Sequence, residues 1–91
     1  MKFEWDEKKN KDNIKKHGID FADVPAMFDQ PMFVNMDAGD YGEDRWIGVG
    51  MLKNIVVVVV FTEREEESIR IISARKATKY ERENYEKKIP H

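Results

Sequence analysis

The side chains in this sequence that could do chemistry are cations and one imidazole. The 91 residues include no cysteine, which removes thiol nucleophiles, thiolate zinc sites and disulfides together. Of the 2 histidines, His91 is terminal, so His17 is the imidazole available to gain or lose a proton near neutral pH. Two histidines are too few for an imidazole metal cage, and scattered carboxylates alone make a poor case for a metal enzyme. The arginines of interest are Arg64, Arg70 and Arg75, because a guanidinium pairs two phosphate oxygens at once and keeps its charge. Each has a plainer reading beside it. The arginines can serve as ion-pair partners, with Glu63, Glu65, Glu66 and Glu67 crowding Arg64. His17 can satisfy the end of a helix, Lys9 and Lys16 can form a solvated face, and Tyr80 and Tyr85 can be core residues with wet hydroxyls.

Charge and length limit what these residues can be asked to do. With 16 Lys+Arg against 18 Asp+Glu the net charge is −2, which argues against coating nucleic acid by bulk charge and leaves room only for a local basic patch. The composition, 41% hydrophobic and 37% charged, is that of a globular chain. Residues 1–91 make a single domain. Ile55 to Phe61 is too short to span a bilayer, and the start Met1-Lys2-Phe3-Glu4-Trp5-Asp6 has no signal-peptide apolar stretch. The expected compartment is the cytoplasm, with no membrane partner.

The elements that must position the candidates follow from the punctuation. Phe3 to Trp5 alternates as a short strand. Asp6 caps a helix that runs to about His17, with Lys15, Lys16 and His17 in its last turn and Gly18 at the left-handed exit. That helix is nearly devoid of aliphatic residues, and its inner stripe is Lys9 or Asn10, Asn13, Ile14 and His17. Asn13 reads as a buried hydrogen-bonding residue joining the helix to a sheet. A second helix is predicted from Asp20, burying Phe21, Val24, Met27 and Phe28, with Pro25 awkward inside it.

Met32 to Met36 is predicted as a strand, and Asp37 to Asp44 as an acidic loop. Arg45–Leu52 and Ile55–Phe61 then pair around Lys53-Asn54. The valines 56–60 do not alternate with polar residues, so their strand should be central and covered on both faces. Thr62–Ser68 reads as a charged turn, Ile69–Ala74 as a returning strand and Ala77–Lys87 as the last helix, with Thr78 and Glu81 at capping-box spacing. Trp5, Trp46, Phe21 and Phe28 read as core. The fold class is α+β: two N-terminal helices, a mostly antiparallel sheet of about four to five strands and a C-terminal helix.

With these elements placed, the chain resembles the BrnT family of bacterial type II toxins. The family's opening pattern is matched by Phe3-Glu4-Trp5-Asp6, Lys9, Asn13, Lys16-His17-Gly18 and Phe21. Its closing pattern is matched by Thr62-Glu63-Arg64, the run Ile69 to Ala77, Glu81 and Tyr85. Pro25 and the Gln30 between Asp29 and Pro31 depart from the usual middle segment. The resemblance implies a RelE-like fold and a ribonuclease activity that arrests translation. It also implies neutralisation by an antitoxin of the BrnA kind, whose ribbon-helix-helix module binds DNA, so that DNA is reached only through the antitoxin.

RNA can be cut without metal or other cofactor when its own 2′-hydroxyl attacks the neighbouring phosphate. That reaction needs a base, cations on the phosphorane and an acid for the departing 5′-oxygen. Under this resemblance Arg64 and Arg75 are the leading catalytic cations and His17 the candidate base. Arg70, Lys76, Lys9, Lys16 and Tyr85 are candidates for holding RNA. Arg64 and Arg75 end successive strands and converge only if the chain folds back between them. Arg70 and Arg75 fall on opposite faces of a regular strand, so both join one site only if a bulge intervenes. The alternative function is a non-catalytic module that keeps the fold and the partner groove. An antitoxin segment could dock by adding a strand or by laying a helix in a groove.

Overall fold

A computed structural model describes residues 1–65 and 67–89. His91, and Glu66 of the charged turn, lie outside the described residues. The elements are β1 (Lys2–Glu4), α1 (Glu7–His17), a 3-10 helix (Phe21–Asp29), β2 (Phe33–Asp37), β3 (Arg45–Leu52), β4 (Ile55–Arg64), β5 (Ser68–Lys76) and α2 (Lys79–Lys88). The strands form one 5-stranded sheet in the order β1-β5-β4-β3-β2. Three of its pairings are antiparallel, and the β1–β5 pairing is parallel. Among the described residues no helix is long and apolar enough to cross a membrane.

The valine strand β4 lies at the centre of the sheet, and Val56 to Val59 are all buried. Lys53 and Asn54 both take positive φ, 47° and 70°, the left-handed pair that a two-residue hairpin needs. One sheet face carries Trp46, Leu52, Val57, Val59, Phe61, Ile69, Ile71 and Ala74. It packs against Phe21, Val24 and Met27 to form the core. Gly50 keeps that face open: a Cβ there would lie 2.7 Å from Cγ of Met32.

Three expectations are corrected. The second helix is a 3-10 helix, not an α-helix. Pro25 cannot donate to an α-ladder, whereas 3.0 residues per turn stack Phe21, Val24 and Met27 on one edge, all with 0% exposure. The charged turn is shorter than Thr62–Ser68, because the β4–β5 ladder continues to the pair Arg64–Ser68. Ile14 is 40% exposed rather than part of an inner stripe.

The inner face of α1 is polar instead: Asn10 and Asn13 are its buried residues. Asn13 donates from Nδ2 to the carbonyls of Ile19 and Ala74 and accepts from the Ala74 N–H. β1 pairs only with residues 68–70 of β5, so this amide takes up the strand's exposed edge beyond them. Asn10 does the same for the 3-10 helix, accepting from the Phe21 N–H and donating to Asp20. Hydrogen bonds thus seat α1 where an ordinary helix would use an apolar stripe.

Candidate active site

Which arginines share a surface is set by an irregularity in β5. Val60 pairs with Ser73, but the next residue, Phe61, pairs with Ile71, so Ile72 is an extra residue in the ladder. This bulge restores the phase between Arg70 and Arg75. The cross-strand pairs Arg64–Ser68, Thr62–Arg70, Val60–Ser73 and Val58–Arg75 put all three arginines on the face turned away from the core. They do not converge on one point. Arg75 stands opposite Val58 and Arg64 lies six residues further along β4, which is about 20 Å at the rise of a strand. No single phosphate can touch both.

Each arginine has a carboxylate neighbour. Arg75 forms a two-pronged pair with Glu81 of α2, at 2.7 Å and 2.9 Å. Glu81 also accepts from the Thr78 N–H while Thr78 Oγ1 accepts from the Glu81 N–H, completing the capping box. The hydrogen bonds from Arg75 and Thr78 hold the Glu81 carboxyl down at about 2, and Glu81 in turn raises the Arg75 guanidinium above its ordinary value. Arg70 faces Glu4 at 3.7 Å. Arg64 faces Glu43 at 3.7 Å, a residue of the acidic loop rather than of its own charged turn. Glu43 also holds Arg45 at 3.3 Å, and the Arg45 guanidinium lies 4.0 Å over the Tyr41 ring. Sequence reasoning passed over Arg45. Its only signal was position, as the first residue of β3 after an acidic loop.

At the other end of the face, α1 and β5 finish side by side. Lys16, His17, Arg75, Lys76 and Thr78 line one open depression. Gly18, in the left-handed conformation, donates its N–H to the Ile14 carbonyl and closes the helix. The His17 side chain makes no hydrogen bond among the described residues and is only half-buried. Lys9 is exposed on α1, seven residues before Lys16, about 10 Å along the helix. Tyr85 is 5% exposed, so the free ring of α2 is Tyr80, at 75%. Among the described residues no three His, Cys, Asp or Glu side chains gather closely enough to hold a metal ion.

The family model for the ribonuclease toxin BrnT of type II toxin–antitoxin systems matches residues 5–81. The chain belongs to the BrnT family. The crystal structure of the Brucella abortus ribonuclease toxin BrnT superposes with a TM-score of 0.70 at 33% sequence identity, covering 87% of this chain and 99% of that one. No curated protein matches in sequence. The BrnT match includes His17, the three arginines of the open face and Lys76, and it ends at Glu81. The remainder of α2, with Asn84, Tyr85 and Lys88, lies beyond it.

Proposed function

We propose that this BrnT-family chain is a metal-independent endoribonuclease whose reaction centre is the depression between the ends of α1 and β5. The supporting observation is that His17 and three cations, Lys16, Arg75 and Lys76, line it together. In this reading the imidazole takes the proton of an RNA 2′-hydroxyl, and that oxygen attacks the adjacent phosphorus. Arg75 and Lys76 neutralise the crowded phosphorane oxygens. The bond to the 5′-oxygen breaks and the oxygen takes its proton at Lys16, leaving a 2′,3′-cyclic phosphate and a 5′-hydroxyl. Arg70 and Arg64 extend the track along the same face for flanking phosphates, and Lys9 extends it along α1. Tyr85 supports α2 from beneath. A RelE-like mode of action, a cytoplasmic site and a ribbon-helix-helix antitoxin complete the reading.

A second reading is favoured by one specific observation: both prongs of Arg75 are already engaged by Glu81. An arginine committed to structure suits a module that binds its antitoxin without cutting RNA. Induction in bacteria decides between the two. Growth arrest by wild type, with RNA fragments ending in 2′,3′-cyclic phosphate and forming undiminished in EDTA, supports the nuclease. His17→Gln is expected to lower cleavage by about 10²–10⁴-fold, the usual contribution of a positioned base. Soluble wild type that captures its antitoxin yet leaves RNA intact supports the module.

A further inference from the structure

The outward face of the sheet is divided between α2 and solvent, and a cavity of about 110 Å³ lies on the boundary. Phe33 and Val49 line its apolar part, the amides of Asn35 and Asn84 and the ring of Tyr80 also line it, and Lys88 stands above Phe33. Register ties this cavity to the site already described. Phe33 pairs with Val49, Val49 with Val58 and Val58 with Arg75, so one cross-strand row runs from the cavity floor to the arginine. Three strand spacings separate its ends, about 14 Å. Glu81 belongs to both places, lining the cavity while holding Arg75.

Three properties of the cavity describe its ligand. An aromatic and aliphatic floor suits a flat ring. Two side-chain amides, each offering a donor beside an acceptor, suit a ring with a hydrogen-bonding edge. Among the described residues neither Asn35 nor Asn84 uses its side chain in a hydrogen bond within the chain, and both are exposed. The Lys88 ammonium lies 4.3 Å over the Phe33 ring. It is a displaceable cover for the π-face, and a cation left at the rim for a phosphate once displaced.

We propose that this cavity takes a single nucleobase of single-stranded RNA, one flanking the scissile phosphate. The base stacks on Phe33 in place of the Lys88 ammonium, with its edge against Asn35 and Asn84 and Tyr80 closing the rim. The inference rests on the ribonuclease reading and adds to it the feature that would give the enzyme a base preference.

The test is an amide-NMR titration of the full chain with AMP, CMP, GMP and UMP to millimolar concentration, beside ribose 5-phosphate, which carries the phosphate without a base. At least one nucleotide is expected to shift Phe33, Asn35, Val49 and Asn84, while ribose 5-phosphate shifts only the Lys16–Lys76 depression. Tyr80→Ala/Asn84→Ala, both exposed and outside the core, is expected to weaken that nucleotide about tenfold. Nucleotides that shift nothing beyond what ribose 5-phosphate shifts would overturn the cavity and leave the nuclease reading intact. So would equal affinity in the double variant. Shifts in the cavity for a chain that cuts no RNA would retain the base site and remove the nuclease reading.

Discussion

Asn13 does the work of a missing strand, and its removal should cost accordingly. Asn13→Ala strips partners from the Ala74 N–H and carbonyl and from the Ile19 carbonyl, all in a buried setting. A buried polar group left unpaired costs about 1–3 kcal/mol. We expect a loss of roughly 3 kcal/mol in urea unfolding, with α1 and the His17 depression loosened first. The Arg75–Glu81 pair gives a pH signature instead. Glu81 titrates at about 2 in the folded chain against an ordinary 4.5. The pair's stabilisation is therefore full above about pH 4.5 and is lost as pH falls toward 2. Because the pair is partly solvent-screened, it is worth only about 1 kcal/mol. Thermal melts of Glu81→Gln against wild type should differ at pH 7 and converge near pH 2. A constant difference across that range would show that Glu81 matters only as a helix cap.

At the level of elements, a bulge absorbs one extra residue, Ile72, and so keeps the arginines of β5 on one face. Deleting Ile72 would remove the bulge and make Ile71 and Ser73 neighbours opposite Phe61 and Val60, so that Ile69, Ile71 and Ala74 stay in the core and Arg70 and Arg75 stay on the open face. The deletion should leave cooperative unfolding as read by circular dichroism; its loss would show that the bulge itself is needed for the fold. Ile72→Ala, which keeps the register, should leave a folded chain. The hairpin offers a stabilising experiment. Lys53 and Asn54 sit at φ values of 47° and 70°, where a residue with a β-carbon is strained. Lys53→Asn/Asn54→Gly should stabilise the chain by about 1 kcal/mol and raise its midpoint in urea. The 3-10 helix shows the same economy: three residues at a spacing of three fill the core edge despite Pro25.

Over the whole molecule, a net charge of −2 does not prevent RNA binding if the free positive charge is concentrated. The arginines toward the Arg64 end are tied to Glu43 and Glu4, whereas among the described residues the Lys16–His17–Lys76 end has only Glu81 as a carboxylate partner, through Arg75. Binding should therefore rest on few phosphates and depend modestly on salt. For three contacts to a single strand, log K against log salt should fall with a slope of about −2. A slope steeper than about −4 would mean that the paired arginines also release their carboxylates to take phosphates. Fluorescence anisotropy with a short labelled RNA measures it, using His17→Gln to prevent cleavage.

Local chemistry made much of this protein legible before any coordinates. Asp6, Gly18 and Thr78–Glu81 marked helix ends because capping satisfies backbone groups within a few residues of the cap. Five valines in a row marked a strand buried on both faces, because no alternation remained to feed water. Asn13 stood out because a helix with so little aliphatic surface must be held some other way. What the sequence left open was relative phase and reach. Whether Arg70 and Arg75 share a face depended on the Ile72 bulge, which no local pattern announces. That Arg64 and Arg75 lie far apart depended on antiparallel register. The company of His17 depended on α1 ending beside β5, and that of Phe33, Asn35 and Asn84 on where α2 crosses the sheet. Such contacts join residues distant along the chain, and pairing and packing, rather than propensity, bring them together.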